Sequence, residues 1–201
     1  EHSPFFNTEE FTVFCVAKSN GTGTQPVFSS VEGATGSNNA NGFAVVMDLS
    51  NKKAIGFWNE GGATDNVTSG ANTVLNNAAQ IISYTMDDTT GDAQANIATV
   101  FVDGNQETQK TSSVGYNPNL AGDLKIGAIG SDFFKGEICE ILIYNTVLSD
   151  TDRQQVEGYL SYKWGIHLTK GHAHEDNGYG QPTSIRVKFD ASIVASRQEP
   201  Y

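Results

Sequence analysis

Eight short apolar runs, each bounded by Gly, Asn, Asp or Ser, limit what this chain can fold into more than any other feature. They are FTVFCVAK (11–18), PVFSSVE (26–32), GFAVVMDLS (42–50), KAIGFWNE (53–60), QIISYTMDD (80–88), NIATVFVDG (96–104), DLKIGAIG (123–130) and EICEILIYN (137–145). Each run is too short for an ordinary helix, and several alternate with a period of two, as strands do. In 42–50, Phe43, Val45, Met47 and Leu49 share one side while Ala44, Val46 and Asp48 share the other. The first side carries the larger apolar surface and is expected to be the buried one. Short strands at this spacing indicate a β-sandwich.

Between the runs lie SNGTGTQ, EGATGSNNANG, NEGGATDNVTSGANT and DGNQETQKTSSVGYNPNLAGD. Gly and Asn in such numbers suit loops, because they tolerate positive φ and bond their own backbone. Loops of that length in a compact domain usually bind something or move. No repeat of fixed period is visible. The 201 residues suffice for one domain with a real core, not for two. With 12 Lys and Arg against 23 Asp and Glu, the net charge of −11 repels phosphate backbones and anionic membranes, which argues against a nucleic-acid partner. No run approaches the roughly 20 apolar residues of a membrane span, so no insertion is expected. Glu1-His2-Ser3-Pro4 does not read as the start of a signal peptide.

One segment breaks the strand pattern. From Ser149 the chain changes to a helical period: Ser149 is a good N-cap, Asp152 lies three residues on, and Asp150 and Asp152 complement the helix dipole. Val156, Tyr159, Leu160 and Trp164 fall along one helical side, and Gly165 is placed to end the helix. The expected role is a buttress packed over the sandwich through that apolar side.

Phe-Thr-Val at 11–13, VFVDGN at 100–105, LKIGA at 124–128 and FKGEICEILIYNTVLSDTDRQQVEGYLSYKWGI at 134–166 resemble, in content and order, the laminin-G-like branch of the concanavalin A-like lectin/glucanase superfamily. The final thirty residues are the specific part, in the form seen in bacterial, marine and phage members. The resemblance covers about residues 8–168 and implies an all-β jelly-roll sandwich of two antiparallel sheets with one short C-terminal helix. It sets residues 1–168 as the domain, with residues 1–10 short for the family's N-terminal segment, so that the chain reads as a fragment. Residues 169–201 match nothing in the family and are either a tail or the start of a further module. The resemblance also implies that the strands of Cys15 and Cys139 are neighbours. The two cysteines then read either as buried free thiols or, outside the cell, as a disulfide.

Catalysis is not expected. Glucanases of the superfamily place carboxylates on one face of one strand in a Glu-x-Asp-x-(x)-Glu pattern, which this chain lacks. Glu137 and Glu140, three apart on a strand, are expected to face opposite ways, and Asp87 and Asp88, being adjacent, fail as a pair for the same reason. Lyases of this fold need Arg, His and Tyr together, and the strand runs contain no His. His172-Ala173-His174-Glu175-Asp176 is the one cluster with metal-ligand chemistry, and in its Gly-flanked setting it reads as a solvated segment. Calcium is the ion the resemblance favours; Asp65, Asp87, Asp88, Asp103 and Asp132 are candidate ligands, and no spacing selects among them. Asn20-Gly21-Thr22 and Asn66-Val67-Thr68 fit the glycosylation pattern, which matters only in a eukaryotic secretory host.

If Ile55 and Phe57 are core, Trp58 points outward beside the small residues Ala54 and Gly56, a setting that suits stacking on a sugar ring. Asn59, Asp48, Ser83, Thr85 and Asp87 are its candidate polar partners. The sequence thus leads to two functional expectations. One is a non-catalytic glycan-binding or adhesion module, recognising cell-surface glycans or polysaccharide from the cell exterior or a virion surface, as part of a larger protein such as a phage tail fibre. The other is a structural or decoration module that makes protein contacts with other subunits and binds no sugar.

Overall fold

A computed structural model describes residues 10–31, 42–60, 63–88, 96–114 and 124–175. In chain order these form β1 (Phe11–Ser19), β2 (Thr24–Ser29), β3 (Gly42–Asp48), β4 (Lys53–Glu60), β5 (Ala63–Thr68), β6 (Gln80–Asp87), β7 (Asn96–Val102), β8 (Asn105–Ser112), β9 (Lys125–Ile126), β10 (Ala128–Ile129), β11 (Asp132–Phe133), β12 (Gly136–Tyr144) and α1 (Asp150–Trp164). One antiparallel sheet has the order β12-β1-β6-β7-β8 and the other β5-β4-β3-β2-β9. The expected two-sheet antiparallel sandwich with one C-terminal helix is the fold observed.

Alternation builds the core between the sheets. Val13, Cys15 and Ala17 from β1, Phe43, Val45 and Met47 from β3, and Ile82, Tyr84 and Met86 from β6 all point into it and are almost fully buried. Rings of Phe11 and Phe43 lie 4.2 Å apart, centroid to centroid, and knit the two sheets together. The face of β3 assigned from the sequence is therefore the buried one.

Two strands lie where loops were expected. β5 (ATDNVT) and β8 (NQETQKTS) are polar edge strands that pair with β4 and β7 through their backbones. An edge strand with one solvated face needs little apolar surface, so hydrophobic alternation does not mark it. Conversely, the run at 123–130 is not one strand. Gly127 and Gly130 adopt φ of 72° and 55°, breaking it into β9 and β10 and turning it into β11.

The outer face of the first sheet is covered by α1. Ser149 caps the helix by accepting a hydrogen bond from the Asp152 amide, and Gly165 closes it in the left-handed region at φ 66°. Phe14, Val16 and Ile81 on the sheet pack against Leu160, Ile166 and Leu168. The side turned to the sheet differs from the one expected. Leu160 is fully buried and Val156 packs partly, but Tyr159 and Trp164 are 50% and 37% exposed. Their places inward are taken by Arg153, Glu157 and Ser161. Apolar spacing misses this because two of the three carry charges that neutralise one another.

Candidate functional site

The residues proposed from the sequence do not converge. Trp58 is corrected outright: it is fully buried in the inter-sheet core, where its Nε1 donates to the Val114 carbonyl at 2.9 Å. Register explains the reversal. Ala54, Gly56 and Trp58 oppose Met47, Val45 and Phe43, all core residues, while Ile55 and Phe57 face outward against Val46 and Ala44. The small residues taken as surface neighbours are small to admit a ring from the other sheet: a Cβ on Gly56 would sit 2.4 Å from Tyr84. Ile55 and Phe57 then bury a second apolar patch with Val31 and Ile129.

Asp48 lies at the turn from β3 to β4. Its Oδ1 accepts from the Ser50 and Asn51 amides and its Oδ2 from Asn51 Nδ2. Partial burial alone would raise the carboxyl's pKa; these bonds win and hold it below the ordinary range. Ser83, Thr85 and Asp87 alternate with the core residues of β6 and so project from the opposite side of the sandwich. Ser83 and Thr85 are buried there. Asn59 pairs in the β3–β4 ladder, on the Asp48 sheet rather than the Ser83 sheet.

The cysteine and acidic expectations are also resolved. β1 and β12 are neighbours, as the resemblance implied, but Cys15 points into the inter-sheet core and Cys139 toward α1, so no bridge forms and both are free thiols. A bulge opposite Val16 and Ala17 causes this and overturns a second expectation. Glu137 pairs with Lys18 and Glu140 with Val16, which places both glutamates on the outer face. Each is taken: Glu137 faces Lys18 at 3.8 Å, and Glu140 accepts from Trp164 Nε1 at 2.7 Å and Lys163 Nζ at 3.0 Å. Of the calcium candidates, Asp65 is bonded by Lys110 and Ser112, and Asp103 accepts from Gln80 Nε2 and the Ile81 amide. Asp88 is buried beyond the end of β6, and Asp132 lies in β11. Among the described residues no three His, Cys, Asp or Glu side chains gather to hold a metal, and no helix is long and apolar enough to cross a membrane.

The cluster expected to be solvated after the helix is so only in part: Ala173 is exposed, His174 and Glu175 are half-buried, and Asp176 lies outside the described residues. His172 is buried, and its Nε2 lies 2.9 Å from Glu157 Oε2, while its Nδ1 accepts from the His174 amide, so Nε2 carries the proton. Glu157, with no exposed surface, also accepts from Ser83 Oγ at 2.7 Å and Arg153 Nη1 at 2.6 Å. The Arg153 guanidinium stacks 3.8 Å above the Phe101 ring. This buried polar cluster pins α1 and residues 166–172 onto the sheet and closes its centre to ligands. The helical i, i+4 spacing of Arg153 and Glu157 was the available signal, and it reads equally well as a solvent-facing pair.

Recesses on the described surface include two with polar and aromatic lining. One, of about 480 Å³, lies between the start of β2 and the β10–β11 hairpin, with the hydroxyls of Thr22 and Thr24 beside Phe133, which is 65% exposed. The other, of about 560 Å³, runs along the flank of α1 over β12. Leu142, Tyr144 and Val156 form its floor, and Glu140, Asp152 and Tyr159 its rim. That combination, an apolar floor with a few convergent polar groups and a half-exposed ring, has the make-up of a small-ligand site. At Glu140, partial burial works to raise the pKa, but the bonds from Trp164 and Lys163 outweigh it and keep the carboxyl ionised well below neutrality.

Two antiparallel sheets packed face to face, with one C-terminal helix on the outer side, place the chain in the class of jelly-roll β-sandwiches. The Laminin_G_3 family model, of the concanavalin A-like lectin/glucanases superfamily, matches residues 2–152, and the chain belongs to that superfamily. The fold is similar to the CBM40 of Ruminococcus gnavus IT-sialidase bound to α2,3-sialyllactose (TM-score 0.59, 16% identity, 73% of this chain and 82% of that one). It is also similar to the leech intramolecular trans-sialidase (TM-score 0.58, 18% identity, 73% and 22%). A third similar structure is domain 4 of AbnA, a GH43 extracellular arabinanase of Geobacillus stearothermophilus, in complex with arabinotriose (TM-score 0.54, 13% identity, 72% and 65%). No curated protein matches the chain in sequence.

Proposed function

We propose that this protein is a non-catalytic carbohydrate-binding module whose saccharide site is the groove between α1 and β12. The observation that carries the reading is the groove itself: a half-exposed tyrosine beside an ionised carboxylate over an apolar floor. Sugars present apolar C–H faces that stack on rings and hydroxyls that donate to carboxylates. The superfamily fold and its likeness to modules solved with sialyllactose and arabinotriose support the class of ligand. The commitment of Glu137 and Glu140 to cationic and indole partners supports binding without turnover. The module acts on cell-surface glycans or polysaccharide from the cell exterior or a virion surface, as one part of a larger protein. The likeness to a region making up 22% of the leech trans-sialidase supports that setting.

A glycan array with the intact chain and a Tyr159→Ala variant tests the reading. Saccharide binding that the variant loses by tenfold or more is the expected result. Binding to nothing on the array, or equal binding by both proteins, overturns it, and the first of these leaves a structural module as the reading to pursue.

A further inference from the structure

We infer that the groove selects uncharged saccharides and rejects acidic ones, in contrast to the sialyllactose-bound CBM40 whose fold it shares. The inference rests on the groove being the saccharide site. A sugar carboxylate in a partly desolvated site is held most strongly by a guanidinium or a free ammonium. Among residues 1–175 the one arginine is Arg153. It is 5% exposed, spent on Glu157 at 2.6 Å, and faces the sheet rather than the groove.

Among the described residues the cation beside the groove is Lys163, and it is committed as well. Its Nζ donates to Glu140 Oε1 at 3.0 Å and to Tyr159 Oη at 3.0 Å. Both partners keep its pKa above the ordinary lysine value. The charged groups lining the groove are therefore the carboxylates of Glu140 and Asp152, and the chain as a whole carries a net charge of −11. An anionic sugar entering here meets two carboxylates, and the described cation beside them, Lys163, is already paired with Glu140. A neutral sugar meets acceptors for its hydroxyls, since each carboxylate oxygen has capacity beyond its present bond, and Tyr159 supplies a ring for its apolar face.

The test is titration calorimetry of the intact chain with matched neutral and sialylated forms of each oligosaccharide that an array retains, such as lactose and sialyllactose, at low and high salt. The neutral form is expected to bind at least about tenfold tighter, with the preference shrinking as salt screens the carboxylates. Gln155→Lys, which adds a cation on the α1 wall, should narrow the preference severalfold without disturbing buried contacts. Tighter binding of the sialylated form that Tyr159→Ala abolishes would overturn the selectivity while leaving the groove as the site. An unchanged preference in Gln155→Lys would overturn its electrostatic basis. Absence of binding to any saccharide, or binding indifferent to Tyr159→Ala, removes the groove reading and the selectivity together.

Discussion

Replacing Glu157 by leucine should be among the most damaging single changes on the covered face of the sandwich, although a leucine fills the space with apolar surface. The glutamate has no exposed surface and accepts from Ser83, Arg153 and His172 at 2.7, 2.6 and 2.9 Å. Without it, Arg153 stays buried with only the Phe101 ring at 3.8 Å and the exposed Asp150 at 3.3 Å to balance its charge. Removing one partner of a buried ion pair typically costs about 3–5 kcal/mol, most of it the penalty of the stranded charge. For a chain of this size each kcal/mol moves Tm by about 2–4 °C, so a fall of roughly 10 °C is expected. Urea unfolding followed by circular dichroism, with a thermal melt alongside, measures both. The double variant Arg153→Met with Glu157→Leu separates the two causes, because it removes the charge along with its partner and should recover most of the loss. Loss of less than about 1 kcal/mol in the single variant would refute the reasoning, as would a double variant that falls as far as the single one.

Trp58→Ala should lower stability by about 3–5 kcal/mol, as for other buried tryptophans, whereas a surface platform would lose ligand binding with little change in unfolding. Gly56→Ala should cost about 1–3 kcal/mol, read by urea unfolding, because the added Cβ meets the Tyr84 ring at 2.4 Å. Burial raises the Asp103 carboxyl from 3.8 to about 6, with Glu157 and Glu107 adding to it. A carboxyl whose folded pKa lies above its unfolded one stabilises the fold when protonated and loses that contribution as pH rises through the folded value, here between about 4 and 6. The parent should thus lose up to about 3 kcal/mol relative to Asp103→Asn between pH 4 and 6.5; asparagine also tolerates the φ of 50° at this position. A parallel pH dependence in the two proteins would show that Asp103 is not the cause. Cys15, its thiol pushed up to about 12 by burial, should resist a thiol reagent until the chain unfolds, and oxidant should leave no intramolecular bridge, as mass spectrometry would show.

The sandwich was legible because its message is local and repeated: alternation in β1, β3, β6 and β7, punctuated by turn residues, and an N-cap and C-cap that fix both ends of α1. Orientation was legible only where one side of a strand is clearly more apolar than the other. β4 defeats that rule, since Ile55 and Phe57 carry more apolar bulk than Ala54 and Gly56, yet the latter face the core. The deciding partner, Tyr84, comes from the other sheet, and nothing near position 56 in the sequence announces it. A bulge in β12 likewise turns Glu140 onto the face of Glu137, because one extra residue shifts the parity of everything after it. The groove depended on both kinds of hidden information. Glu140, Leu142 and Tyr144 come from a strand whose parity is altered, and Tyr159 from a helix side expected to face the core.

The buried cluster around Glu157 also bears on where a ligand can bind. An outer sheet face left open offers a broad surface for a ligand, but here α1 and residues 166–172 occupy it and the ion pair fixes them there. In sealing that face the helix turns Arg153 and Glu157 inward, which leaves Tyr159 and Trp164 on the flank. Trp164 then fixes Glu140 through its indole, and Tyr159, its hydroxyl bonded by Lys163, keeps a half-exposed ring for stacking. On this reasoning the closed face and the groove are one arrangement, so loosening the helix by Glu157→Leu should weaken saccharide binding even though Glu157 lies outside the groove. The Arg153→Met, Glu157→Leu double variant should restore binding in step with stability. Calorimetry on the three proteins at a temperature where all are folded would decide it: binding in the single variant equal to the parent's would show that the groove stands without the seal.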